Sequence, residues 1–109
     1  TEVDIIRDRN SLYRETNEGL IENVYTIKVL NKTQQTQTYS IAIKGLPDYQ
    51  YIGEQQVTVA GGAVYSTPIS VATDAYNLED TVTDIFISVT TTIDGETVTV
   101  DEPTKFLYR

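Results

Sequence analysis

Hydrophobic and polar residues alternate with a period of two along most of the chain, and helical periodicity is nearly absent. Between Val24 and Leu30 the apolar set Tyr25, Ile27 and Val29 is interleaved with Thr26 and Lys28. Tyr39, Ile41 and Ile43 alternate with Ser40, Ala42 and Lys44. Ile85, Ile87 and Val89 alternate with Phe86, Ser88 and Thr90 in the same way. Shorter pairs keep the rule: Val57 with Val59, Ile69 with Val71, Val98 with Val100, and Phe106 with Tyr108. A pleated strand gathers such residues on one face, which a helix cannot do.

The breaks between these runs carry turn chemistry. Asn31-Lys32-Thr33-Gln34 is a polar connection between the first two long strands, and Gly45-Leu46-Pro47-Asp48 ends the second. Pro47 has no N–H for a ladder, and Gly45 permits a tight turn. Ala60-Gly61-Gly62-Ala63 separates two later strands, and Asp94-Gly95 between Ile93 and Glu96 is a strong two-residue hairpin signal. Closely spaced strands without helical crossovers predict an all-β fold, an immunoglobulin-like antiparallel β-sandwich of about seven to eight strands. No repeat, linker or low-complexity tract divides the chain, so residues 1–109 form a single domain.

Composition then removes most chemistry. Cysteine, histidine, methionine and tryptophan are all absent. Disulfides, imidazole bases, cysteine nucleophiles and soft metal sites are excluded with them, so no catalytic, cofactor-binding or metal-ligating residue is assigned. The cysteine pair and tryptophan of antibody-type domains are missing too, which leaves cohesion to aliphatic and tyrosine packing. The formal charge is −8, and between Gly45 and Thr104 there are ten acids and no Lys or Arg. Such a surface repels phosphate backbones, so nucleic acid is not expected as a partner. No stretch has the ~18–20 apolar residues of a membrane span, and no signal peptide opens the chain. It begins at Thr1 and contains no Met, which reads as a processed chain or a fragment.

Five features of the sequence are candidate sites. The acidic run Asp74–Asp80 with Asp84 has oxygen ligands for calcium, but it lacks the spacing and glycine of a twelve-residue calcium loop. A pair of carboxylates for acid–base work has no supporting motif. Asn31-Lys32-Thr33 matches a glycosylation sequon and reads as a turn. Tyr49, Tyr51, Tyr65 and Tyr76 read as rim packing rather than a ligand platform. The segment Asp4–Arg14 is the most distinctive. Its charges alternate in sign, and Arg7, Arg9 and Arg14, with Tyr13 among them, form a candidate contact with lipid headgroups or a partner's acidic face. Its competing description, favoured by the pattern, is an edge strand whose arginines pair with Asp8 and neighbouring acids.

The same segment carries a family resemblance. Val3-Asp4-Ile5-Ile6-Arg7-Asp8-Arg9-Asn10-Ser11-Leu12-Tyr13-Arg14 resembles the start of the C-terminal domain of the FixG (CcoG) family of cytochrome c oxidase accessory proteins. Gly19 to Lys32 is similar to that family's first core strand, and Gly45-Leu46-Pro47 to the close of its next. The likeness is sharp over residues 3–47 and only strand-like afterwards.

The resemblance implies a modular protein of the bacterial inner membrane, with transmembrane helices, a ferredoxin-like part holding iron–sulfur clusters, and an immunoglobulin-like tail. It implies a role of that parent in assembly of the cbb-type oxidase and in copper reduction. This domain would be periplasmic, following the last transmembrane helix. It would dock a protein partner, an oxidase subunit or assembly factor, and touch the membrane through the parent chain. No cluster site carries over, because the chain has no cysteine. The alternative is an accessory or carbohydrate-binding module of a secreted enzyme or adhesin.

Overall fold

The computed structural model of the chain describes residues 2–7 and 13–108. Their strands are β1 (Glu2–Arg7), β2 (Arg14–Glu15), β3 (Ile21–Leu30), β4 (Gln37–Lys44), β5 (Gln50–Gly53), β6 (Gln56–Val59), β7 (Val64–Thr73), β8 (Val82–Ile93) and β9 (Glu96–Leu107). One sheet has the order β1-β3-β7-β5, with β2 continuing the β1 edge of β3; the other has the order β6-β4-β8-β9. Every pairing is antiparallel. The two sheets face each other as an immunoglobulin-like sandwich.

The alternating residues fill the space between the sheets. Tyr25, Ile27, Val29, Tyr39, Ile85, Ile87 and Phe106 are essentially inaccessible, and Ile41, Ile43, Val57, Val59, Ile69 and Val71 join them. Each such side chain contributes about 1.5–3 kcal/mol when fully buried. Tyr25, Tyr39 and Phe106 are the bulkiest members of this core, which has no tryptophan or disulfide to centre it.

Nine described strands exceed the seven or eight expected. β2 has two residues, too few for alternation to show, and the four of β5 carry no alternating apolar pair and none of them is buried. In the other direction, Val98/Val100 and Phe106/Tyr108 are not separate runs: one continuous strand joins residues 96–107 through Pro103. Proline is tolerated there because β9 is an edge strand, paired among the described residues only with β8.

The β8–β9 hairpin turns at Asp94-Gly95, with φ of 51° and 80° at the two positions. Both angles are left-handed, as a type I′ turn requires, and glycine adopts that region without cost. β4 pairs with β8 only from Ser40 opposite Thr90 to Lys44 opposite Phe86, so the hairpin runs on as a projecting arm. Val98, expected in the core, is 37% exposed for that reason.

Candidate functional site

A sandwich without soft ligands or a histidine offers its surface and its strand edges, and the β9 edge is the most elaborated of these. Ile93 and Glu96 flank a two-residue turn and therefore form a hydrogen-bonded pair. Bonded and non-bonded pairs alternate from there, so 96, 98, 100, 102, 104 and 106 turn their backbone groups towards β8. Residues 97, 99, 101, 103, 105 and 107 turn theirs outward.

Side chains from the opposite sheet close the far end of that outward row. The Asn23 amide donates to the Leu107 carbonyl at 3.0 Å and accepts from the Leu107 N–H at 2.9 Å. The Tyr25 hydroxyl donates to the Lys105 carbonyl at 2.8 Å. Pro103 has no N–H to offer. From 103 to 107 the edge is thus blocked from within the molecule.

Asn23 and Tyr25 reach across because of a gap in their own sheet. β1 covers β3 from Leu30 to Tyr25 and β2 covers Glu22 and Ile21, so Asn23 lies between them. Burial holds the Tyr25 hydroxyl well above the usual tyrosine pKa, and the nearby Arg7 charge only partly opposes this.

The N-terminal segment is the expected edge strand over residues 2–7. Arg7 sits opposite Tyr25, whose side chain faces the core, whereas Arg14 sits opposite Glu22 on the outer face. Cross-strand partners share a face, so the register puts Arg7 and Arg14 on opposite sides of the sheet. Arg14 is committed to Glu22: its guanidinium bonds a carboxylate that is only 3% exposed. Tyr13 packs edge-on against Tyr108, with ring centroids 5.5 Å apart. Arg9 lies outside the described residues, as do Asp8 and Asn10–Leu12.

The acids serve local structure. Asp74 caps the short 3-10 turn Ala75–Asn77, accepting from the Tyr76 N–H at 3.0 Å. Asp84 pairs with Lys105, Asp101 with Lys44 at 3.2 Å, and Glu2 with Lys32 at 2.6 Å. Hydrogen bonds from Ser88 and Lys44 hold the Asp101 carboxyl below its ordinary range. Among the described residues no group of three or more carboxylates is arranged to hold a metal ion.

The tyrosines do not form a platform. Tyr51 donates to the Glu54 carbonyl at 2.7 Å and Tyr65 to the Glu54 carboxylate at 2.7 Å. Thr67 reaches the same carboxylate at 3.0 Å. Tyr49 accepts from the Ile43 N–H at 3.4 Å, and Tyr76 stands 96% exposed on its turn.

Asn31 is neither a surface sequon nor an ordinary turn residue, being fully buried. Its amide donates to the carbonyls of Gln35 at 2.8 Å and Val59 at 3.0 Å. Its oxygen accepts from the Thr33 N–H and hydroxyl, at 2.9 and 2.7 Å. The sequence signal for Asn23 was present: a polar residue in phase with Tyr25, Ile27 and Val29. Glu22 and Arg14 gave none, because their pairing depends on the register of a two-residue strand.

A family model described as "IG-like fold at C-terminal of FixG, putative oxidoreductase" matches residues 1–109. The chain belongs to that family. A FixG-related protein from Vibrio parahaemolyticus, known from a crystal structure, is 36% identical, with a TM-score of 0.86 over 99% of this chain and 95% of that one. Two further structures share only the fold with this FixG-family domain. One is a structural-genomics consortium target at 10% identity and TM-score 0.63, covering 97% of this chain and 84% of that one. The other is the yeast GGA1 GAE domain at 11% identity and TM-score 0.55, covering 97% and 90%. No curated protein matches the chain.

Proposed function

We propose that this FixG-family domain is a non-catalytic interaction and spacer module of a membrane-bound iron–sulfur oxidoreductase. Family membership over residues 1–109 carries the reading. The parent would assist assembly of the cbb-type oxidase and reduce copper, with clusters held elsewhere in its chain, since no cysteine is present here to ligate them. The domain would sit on the periplasmic side and present a rigid sandwich to an oxidase subunit or assembly factor. Arg7, Arg9, Tyr13 and Arg14 would lie at its membrane-proximal end. The composition supports this division of labour: copper needs the soft ligands this domain lacks, whereas docking needs shape and edges.

The test is to delete the 109 residues from the parent in its native bacterium. The cluster signals of the parent should survive in its electron paramagnetic resonance spectrum, while the amount of assembled oxidase falls. Loss of the cluster signals would give the domain a cofactor role, and unchanged oxidase levels would remove the docking role.

A further inference from the structure

The plugs on β9 stop short of its first half. Thr97, Thr99 and Asp101 turn their backbone N–H and C=O groups outward, and among the described residues no ladder or loop bond satisfies them. Long open edges of this kind invite pairing, and proteins usually blunt them with lysine, proline or a covering segment. Here proline and the Asn23 and Tyr25 plugs protect 103–107, whereas among the described residues 97–101 has neither a proline nor a side chain bonded to its outward backbone groups. Beside this stretch Val98 is 37% exposed and Val100 half-buried, both on the inward-facing side of the arm.

Charge selects the occupant. Asp94, Glu96, Asp101 and Glu102 flank or line the stretch, and the chain from Gly45 to Thr104 has no base. Lys44 and Lys105 are paired with Asp101 and Asp84, so Asp101 is already matched and Asp94, Glu96 and Glu102 are the acids left to attract a partner. A second copy fits poorly: antiparallel pairing of two β9 edges about Thr99 sets Glu96 against the Glu102 of the other copy, twice over. Like charges directly opposite destabilise a sheet.

We infer that the open stretch Thr97–Asp101 of β9 is a strand-addition site for an extended segment of a partner protein with alternating basic and apolar residues. Main-chain bonds to 97, 99 and 101 would supply affinity, and contacts with Val98, Val100 and the flanking acids would supply choice. This deepens the docking reading and rests on it.

The test uses the 15N-labelled chain and two capped octapeptides, (Lys-Val)4 and (Glu-Val)4, followed by NMR. The amides of Thr97, Thr99 and Asp101 should shift and gain protection from exchange with the lysine peptide, which should bind at least tenfold more tightly than the glutamate peptide. Thr99→Pro removes one outward N–H without touching the β8 ladder and should weaken binding at least tenfold with the spectrum otherwise native. Glu96→Lys, at an exposed position, should narrow the preference even if the proline variant is unstable. Equal binding of both peptides, no binding, or self-association through 97–101 would overturn the assignment. Protection centred on another face would overturn it too, yet leave the docking reading standing, whereas only the deletion experiment on the parent can remove that reading.

Discussion

Asn23 treats Leu107 as a neighbouring strand would, giving and receiving one hydrogen bond each with its backbone, at 3.0 and 2.9 Å, from the opposite sheet. An asparagine amide has the same donor and acceptor pair as a peptide group, so it ends the β9 edge without adding a strand. Asn23→Ala removes both bonds and leaves Leu107 unpaired, which should cost about 2 kcal/mol. Thermal unfolding should show a Tm lower by roughly 10 °C, at about 4–8 °C per kcal/mol for a domain near this size. A change of less than a degree or two would mean that water serves Leu107 equally well.

Asn31 uses both amide hydrogens and both oxygen lone pairs inside the protein. Asn31→Asp keeps the shape but turns a carboxylate towards the carbonyls of Gln35 and Val59. The loss should be about 3 kcal/mol at pH 7. The introduced carboxyl would have a folded pKa above its unfolded value, so the deficit should shrink as pH falls and the protonated group donates again. Denaturant midpoints at pH 7 and pH 4 check this. The adjoining Gly61 belongs to the same assembly, because a Cβ there would lie 2.5 Å from the Gln34 carbonyl carbon.

Arg14→Ala would leave the buried Glu22 carboxylate without its cation. Arg14 itself is 67% exposed, which moderates the pair, and the expected loss is about 1–2 kcal/mol. Adding Glu22→Gln to Arg14→Ala should recover most of it. If the double variant is as unstable as the single one, the contribution of Arg14 is packing rather than charge.

Alkaline pH should unfold the domain through its tyrosines. Burial raises the Tyr25 pKa, burial with Glu54 and Tyr49 nearby raises that of Tyr51, and the Glu54 hydrogen bond raises that of Tyr65. A raised folded pKa gives stability that is complete below the unfolded value of about 10 and is lost as pH climbs through the folded one. Tyrosinate absorbance from Tyr25 and Tyr51 should therefore appear together with unfolding. Tyr25→Phe should flatten the decline above pH 10, at the cost of the bond to Lys105. Reversible ionisation of all eight tyrosines near pH 10 in the folded state would contradict the burial argument.

Much of this architecture was legible because alternation is a local property. Tyr25/Ile27/Val29, Tyr39/Ile41/Ile43 and Ile85/Ile87/Val89 each declare a face without reference to any partner, and Asp94-Gly95 declares its hairpin. What alternation cannot express is where sheets end. Val98 has the right phase for the core yet lies on the projecting arm, because β4 stops pairing at Thr90. Arg7 and Arg14 look like one basic cluster in sequence, but their partners Tyr25 and Glu22 point to opposite faces. The plugged edge was hidden for the same reason, since it joins residues 84 positions apart. Family membership was legible in the segments over residues 3–47, whereas the side chains themselves mostly say what the domain lacks.

Photo-crosslinking in native membranes tests the central claim most directly. A benzoylphenylalanine placed at Thr97 of the full-length parent should give a light-dependent adduct with an oxidase subunit or assembly factor. Its attachment point should fall in an extended basic and apolar segment. Adducts confined to the parent's own chain, or none at Thr97 while a probe at Tyr76 captures such a protein, would contradict docking through the β9 arm.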